Sequence, residues 1–297
     1  MRRGLMTGTL VLAAIAAAGF FVTRATPIDS SALAGHVGDP ASGETIFIAS
    51  GCASCHAAPE AEGDAKLVLA GGQRFESDFG TFVAPNVSPH PEGGLGSWSL
   101  AEFASAVQQG VSPDGRHYYP AFPYTSYTRM TDQDVVDLWA YWQTLPADAT
   151  PSQPHEVGFP FNIRRSVGVW KQIYLEDDWV MASADTPEIE RGRYLVEALA
   201  HCGECHTPRT ALGGLDRSAW LEGAPNPTGR GTIPALTPDE LTWGPTEIAY
   251  YLETGFTPDF DSAGGHMVAV IENFAQLPAS DREAVVAYLK ALPQPKP

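Results

Sequence analysis

The pattern Cys-x-x-Cys-His occurs twice in the chain, about 150 positions apart. Cysteines three positions apart project from one side of a helical turn, where both thiols can add to the vinyl groups of one haem. The histidine that follows can then bind the iron. Each copy therefore predicts a covalently bound haem c, so two haems are expected. The predicted attachment and iron-binding residues are Cys52, Cys55, His56, Cys202, Cys205 and His206.

These two patterns use all four cysteines of the chain. A thioredoxin-like redox pair does not need the histidine, and a zinc site needs two Cys or His pairs that converge on one metal. The cysteine count therefore favours two haem sites over either alternative.

The N-terminus combines two arginines with an apolar run from Leu5 to Val22. Helical residues rise ~1.5 Å each, so this run would reach about 27 Å, close to the ~30 Å hydrocarbon thickness of a bilayer. We therefore predict an uncleaved signal-anchor helix and linker over residues 1–36, on the periplasmic side of the bacterial inner membrane. The alternative is a signal peptide cleaved near Ala16–Ala18, which would leave a soluble periplasmic protein.

Length and charge limit what the rest can be. About 270 residues follow the apolar run, which is enough for two domains of about 110 to 120 residues each. The formal charge of −17 makes nucleic acid a poor partner. An acidic surface can instead steer a protein towards a basic patch on a redox partner, although a merely solvated surface has the same composition.

Each haem motif lies near the start of an internal repeat. An amphipathic helical pattern starts near Gly43 before the first motif and near Gly192 before the second. Each repeat then closes with a second helix, capped at Thr131 in one case and at Ser280 in the other. Both closing helices are predicted to end at a Leu-Pro pair.

With these repeats the chain resembles the class I cytochrome c fold, twice over. Phe82–Pro89, Trp98 and His117–Tyr124 are similar to the dihaem and trihaem cytochrome subunits of membrane-bound alcohol and gluconate dehydrogenases. The resemblance implies an all-α fold of two tandem class I cytochrome c domains behind the membrane helix. The implied segments are a first domain over 37–148, an inter-domain connector over 149–186 and a second domain over 187–297.

The connector is predicted to contain an amphipathic helix. Ile163, Val167, Trp170 and Tyr174 follow helical spacing, which indicates a helix packed along the seam between the domains. The adjacent Arg164-Arg165 pair can bind haem propionates or remain in solvent.

The sixth iron ligands are predicted to be methionines. A thioether opposite histidine is typical of electron-carrier cytochromes, and each haem domain has one methionine. Met267 lies where the resembling family carries its ligand, with His266 as its rival. In the first domain Phe122 replaces the methionine of the related subunits, so Met130 is the predicted ligand and His117 the alternative.

Residues around the haems can also be proposed. A loop carbonyl at or near Pro59 and Pro208 can accept the Nδ1–H of the iron-binding histidine and orient the ring. Asn86, Trp98 and Tyr124 can donate to haem propionates, because buried carboxylates need donors. Ordinary turn and core roles are the alternative for all five.

The sequence indicates an electron-transfer protein rather than an enzyme. It has no dinucleotide fingerprint, and the resemblance implies a donor that is a periplasmic or membrane dehydrogenase. The implied acceptors are a quinone, a soluble cytochrome or a terminal oxidase of the respiratory chain. The alternative is a dihaem peroxidase, which needs an open iron, or a thiosulfate-oxidising cytochrome, which uses a further cysteine ligand. A third possibility is a haem-bearing assembly subunit.

Overall fold

A computed structural model describes residues 10, 13–14, 17–227, 229 and 231–293. The α-helices are α1 Pro40–Ala49, α2 Cys52–His56, α3 Leu100–Gln109, α4 Tyr124–Tyr127, α5 Asp132–Trp142, α6 Ser166–Tyr174, α7 Pro187–Arg193, α8 Gly203–His206, α9 Pro245–Thr254, α10 Met267–Phe274 and α11 Ala279–Ala291. A π-helix, Tyr194–Leu199, continues α7, and short 3-10 helices span Ser30–Leu33, Gly63–Leu67 and Arg217–Ala219. The strands are β1 Arg74–Ser77, β2 Gly80–Val83, β3 Glu156–Val157, β4 Ala224–Pro225 and β5 Thr232–Ile233.

The prediction of an all-α fold is wrong, because both repeats contain antiparallel strands. β1 and β2 form a hairpin in which Phe75 lies opposite Phe82, and β3 from the connector adds to β2. The hairpin turns at residues 78–79, and Gly80, the first residue of β2, has a φ of +126° that suits glycine. β4 and β5 form a second pair. All five strands are only two to four residues long, too short for their alternation to be recognised in the sequence.

The predicted membrane helix is also corrected. No helix among the described residues is long and apolar enough to cross a bilayer. Among the described residues of this segment, 10, 13–14 and 17–22 are helical. Residues 1–9, 11–12 and 15–16 of the predicted segment lie outside the described residues.

Each repeat is built on the crossing of its opening and closing helices. Where α1 crosses α5, a Cβ added to Gly43 would lie 2.0 Å from the Asp137 carbonyl oxygen. Where α7 crosses α11, a Cβ on Gly192 would lie 1.9 Å from the Ala284 oxygen. Such separations leave no room for a side chain, so glycine sets how closely the two backbones approach. Residues of both crossings belong to a single apolar core, which includes Tyr141 in the first repeat and Tyr288 in the second.

Between the glycine of the crossing and the first cysteine of the motif, the second repeat is one residue longer than the first. Gly43 lies nine positions before Cys52, whereas Gly192 lies ten positions before Cys202. The additional residue is absorbed by the π-helix, where the amide of Ala200 donates to the carbonyl five residues earlier at 2.7 Å. A π turn holds one more residue than an α turn, so the motif still follows the crossing in the same way.

Helix α6 of the connector contacts both repeats. On one side the Lys171 ammonium donates to the last carbonyls of α3, at Gln109 and Gly110. On the other side the indole of Trp170 donates to the Leu212 carbonyl at 2.9 Å, and the Tyr174 hydroxyl lies 2.8 Å from that of Thr210. The connector therefore holds the repeats together through polar contacts as well as apolar packing.

We expect Gly192→Ala to destabilise the protein by about 2–3 kcal/mol, because the new methyl group must push α7 away from α11. The free energy of unfolding in urea measures the effect. Gly158→Ala is the matched control, since nothing lies within 4 Å of a Cβ at that position. Equal stabilities of the two variants would contradict the close crossing.

We expect the stability of the protein to rise as the pH increases above 7. Burial lowers the pKa of Lys171 to about 7 from an ordinary value of 10.5. Between these values the unfolded chain binds more protons at this group than the folded one does, so the free energy of unfolding increases with pH. Lys171→Met should flatten this slope between pH 7 and 9. Lys66→Met, at a more exposed lysine, should leave it unchanged.

Candidate haem sites

Both haem motifs follow a residue in the left-handed conformation. Gly51 has φ of +63° between α1 and α2, and His201 has φ of +42° at the equivalent position before α8. This conformation ends one helix and starts another at an angle. Cys52 and Cys55 of the first motif thereby lie on the short helix α2, and in the second motif Cys202 is the N-cap of α8 and Cys205 lies within it.

The iron-binding histidines are oriented by carbonyl groups of proline residues. The Nδ1 atom of His56 lies 3.0 Å from the Pro85 oxygen, and that of His206 lies 2.7 Å from the Pro234 oxygen. Among the described residues, neither Nε2 atom has a hydrogen-bond partner. Burial lowers the pKa of both rings, which keeps them neutral, the form that binds iron. Both histidines are thus prepared as axial ligands through Nε2.

The carbonyls were expected near Pro59 and Pro208, and the structure instead gives Pro85 and Pro234. These two prolines are 149 positions apart, the same separation as between Gly43 and Gly192 at the helix crossings. The predicted cap Ser280 does not provide this reference, because it lies inside α11, whose N-cap is Pro278. The repeat offset was therefore the signal that could have found them.

The thiols of the motifs suit covalent attachment of haem. All four cysteines are free rather than paired as disulfides. Burial raises the pKa of Cys55 to about 11 and that of Cys202 to about 12, so both stay protonated at neutral pH. Free thiols at a short helix, followed by a histidine whose Nε2 has no partner among the described residues, fit haem c in both repeats.

The predicted first-haem ligand Met130 is 4% exposed and lies in the core, at the turn between α4 and α5. The alternative ligand is His117, and one of its ring nitrogens already has another partner. Its Nε2 atom lies 3.0 Å from the Thr23 carbonyl oxygen. The Nδ1 atom of His117 is buried and has no partner. The assignment of Met130 therefore stays a prediction.

The predicted second-haem ligand Met267 is the first residue of α10 and is partly buried. Its rival His266 is exposed and lies 6.2 Å from the Phe75 ring of the first repeat, measured between ring centroids. The assignment of Met267 likewise stays a prediction.

The three residues expected to donate to the haem propionates differ in whether their donor groups already have hydrogen-bond partners. Both amide atoms of Asn86 are used, since Nδ2 donates to the carbonyls of Asp148 and Thr150 and Oδ1 accepts from Ser88. Tyr124 is fully buried, and its hydroxyl donates to a backbone carbonyl. Trp98 alone of the three has no hydrogen-bond partner for its indole N–H among the described residues.

Trp98 lines a cavity of about 260 Å³ together with two arginines, Arg116 and Arg164. Arg164 lies over the Tyr119 ring at 4.0 Å and donates to the His117 carbonyl at 2.7 Å. Asp114 also lines the cavity and forms an ion pair with Arg116 at 2.6 Å, whereas Arg164 has no carboxylate partner among the described residues and can bind a carboxylate group there. Arg165, in contrast, donates to the backbone of the N-terminal helix.

The two motifs lie side by side. The thiol of Cys205 is close enough to raise the pKa of Cys55, as a smaller cause beside burial. Asn273 of the second repeat donates to the Ser54 hydroxyl at 3.0 Å, and Thr125 of the first donates to Glu204 at 2.9 Å. Residues between the cysteines of both motifs thus take part in the seam, which brings the two haem attachment points together.

The sequence analysis missed Glu197, a carboxylate in the π-helix. Its side chain is 1% exposed and accepts three hydrogen bonds. A charged residue within an otherwise apolar helical face was the available signal.

Comparisons with known proteins agree with this geometry. The cytochrome c family model matches residues 40–146. A protein of Cereibacter sphaeroides described as a dihaem c-type cytochrome is 53% identical over 99% of both chains. The chain belongs to the dihaem c-type cytochromes. As a member of this family it carries two covalently bound haem c groups.

Cytochrome subunits of dehydrogenases are also similar to this cytochrome. The fructose dehydrogenase cytochrome subunit of Gluconobacter japonicus is 37% identical over 91% of the chain, which spans 56% of that subunit. The gluconate 2-dehydrogenase cytochrome c subunit of Pantoea cypripedii is 31% identical over 84% of the chain, which spans 58% of it. The chain thus spans little more than half the length of these subunits.

Replacing Met130 by alanine is expected to open the first iron. The reduced variant should then bind one carbon monoxide per chain, whereas the unaltered cytochrome should bind none, because a firmly held thioether blocks the gas. The visible spectrum of the dithionite-reduced protein before and after addition of the gas measures this.

Two variants serve as controls for this experiment. Met181→Ala removes a methionine from the connector and should leave the iron closed. His117→Ala removes the alternative ligand. Carbon monoxide binding to the His117 variant, with none to the Met130 variant, would assign the ligand to His117.

Proposed function

We propose that this cytochrome takes electrons from a periplasmic or membrane dehydrogenase and passes them towards the respiratory chain. The observation that carries the proposal is the closeness of the two haem motifs at the seam, where Asn273 of the second repeat binds Ser54 of the first motif and Thr125 of the first repeat binds Glu204 of the second motif. When bound, each haem supplies a one-electron couple. Neighbouring attachment points give electrons a path through the protein from a donor at one repeat to an acceptor at the other.

The similar dehydrogenase cytochrome subunits support a dehydrogenase as donor. Those subunits are longer than the part that this chain spans, so the identity of the dehydrogenase and its substrate belong to the proposal. A quinone, a soluble cytochrome or an oxidase is the acceptor class. Covalent haem attachment to exported chains suits a site of action in the periplasm.

The acidic charge supports docking to a redox partner. The formal charge of −17 gives the protein a negative field, which speeds association with a basic patch and weakens as salt is added. Electrostatics of this kind affects the rate of encounter more than the affinity, as suits a carrier that must also dissociate.

We propose that the protein is a carrier and not an enzyme. The peroxidase alternative requires an iron with an open axial position, which the predicted methionine ligands would close. The thiosulfate-oxidising alternative requires a further cysteine, and the chain has four, all within the haem motifs.

Deletion of the gene in its native host tests the proposal. Oxygen uptake should fall for at least one alcohol, sugar or sugar-acid substrate and stay unchanged for NADH. The reason is that only the dehydrogenase proposed as the donor loses its electron carrier. A copy with His206→Ala should not restore uptake, whereas a copy with the exposed His36→Ala should. Unchanged uptake on every substrate, together with peroxide turnover by the purified protein, would favour the peroxidase instead.

A further inference from the structure

Glu197 is a buried carboxylate beside the second haem motif. Its Oε2 atom accepts from the Val180 amide at 2.6 Å, and its Oε1 atom accepts from the Met181 amide at 3.0 Å and from the Tyr288 hydroxyl at 2.7 Å. All three partners are donors, which is the arrangement that stabilises an ionised carboxylate.

The negative charge of Glu197 has no direct counter-ion. Within the described part of the chain, no lysine or arginine forms an ion pair with it. Arg193 lies one turn earlier and donates to the Met181 carbonyl. The charge of Glu197 is a minor influence on the pKa of Arg129. The Arg129 guanidinium does not bind Glu197 but donates to backbone carbonyls of residues 125, 176 and 178. A buried charge without such a partner is costly, so a role beyond packing is indicated.

Glu197 is linked to the haem motif by two aromatic side chains. The Tyr288 hydroxyl accepts from the indole N–H of Trp220 at 2.9 Å. The Trp220 ring lies against Gly203, within the motif, where an added Cβ would be 2.2 Å from the ring. The carboxylate therefore lies in the same buried cluster as the haem attachment site.

The first repeat has no carboxylate at the position of Glu197; its buried carboxylate, Asp137, lies on the closing helix α5 and accepts from the Asp39 amide and from Gln133. Counted from the helix crossing, the position equivalent to Glu197 is Ile48, and counted from the haem motif it is Phe47. Both are apolar, and Phe47 is 2% exposed. The carboxylate occurs where the π-helix adds a residue, so this feature distinguishes the two sites within one chain.

We propose that Glu197 lowers the reduction potential of the second haem below that of the first. Ferric haem carries one more positive charge than ferrous haem, so a nearby negative charge in a dry interior favours the ferric form. The first haem, whose opening helix has the apolar Phe47 and Ile48 at the corresponding positions, then holds the electron more firmly. This inference rests on the proposed carrier function and specifies its order: electrons enter at the second haem and leave from the first.

A redox titration of the haem-loaded protein followed by NMR tests the inference. The haem methyl signals report each site once they are assigned through contacts to its own cysteine pair. In Glu197→Gln the equilibrium between the haems should shift at least tenfold towards reduced second haem, which is about 59 mV for a one-electron couple. The first haem should not change.

Glu190→Gln is the matched control, because it removes the same charge from an exposed position on α7. It should change neither potential. A shift below twofold in Glu197→Gln, or equal shifts of both haems, would overturn the proposal. If that variant does not load haem, the unaltered protein decides the question, since a second haem with the higher potential is incompatible with it. These measurements need no dehydrogenase, so their outcome is independent of the test of the proposed function.

Discussion

The contact of two backbones at a glycine organises each half of this molecule. At Gly43 and at Gly192 the opening helix touches the carbonyl of the closing helix, and no other residue leaves room for that approach. After the opening helix, a residue in the left-handed conformation comes directly before the first cysteine of the haem motif. Its position is therefore determined by the crossing, and the carbonyls of Pro85 and Pro234 then orient the histidines.

The contacts at the seam explain why two haem sites occur in one chain. Helix α6 binds the end of α3 through Lys171 and the second repeat through Trp170. Side chains from within the motifs complete the seam, as in the bond between Asn273 and Ser54. Because polar and apolar contacts both cross this surface, the two attachment points keep a defined relationship, which a flexible linker would not provide.

The haem motifs and the repeat could be read from the sequence because their signals are local. Cysteine spacing, helix caps and Leu-Pro stops each depend on a few neighbouring residues. The strands could not be read, since β3 supplies only two residues and pairs with β2 more than 70 positions earlier. The carbonyl partners of the histidines lie 28 and 29 positions away, so loop geometry rather than local pattern places them.

The differences between the repeats are more informative about function than their similarity. Two equivalent haem sites would hold an electron equally well and would give no preferred order of transfer. One inserted residue, held in a π turn, comes with a buried carboxylate at Glu197 in the second repeat, where the first has Phe47 and Ile48. Because charge in a dry interior acts strongly on a neighbouring redox centre, one buried carboxylate can make two otherwise similar sites unequal. Such an inequality gives a carrier a direction without changing its fold.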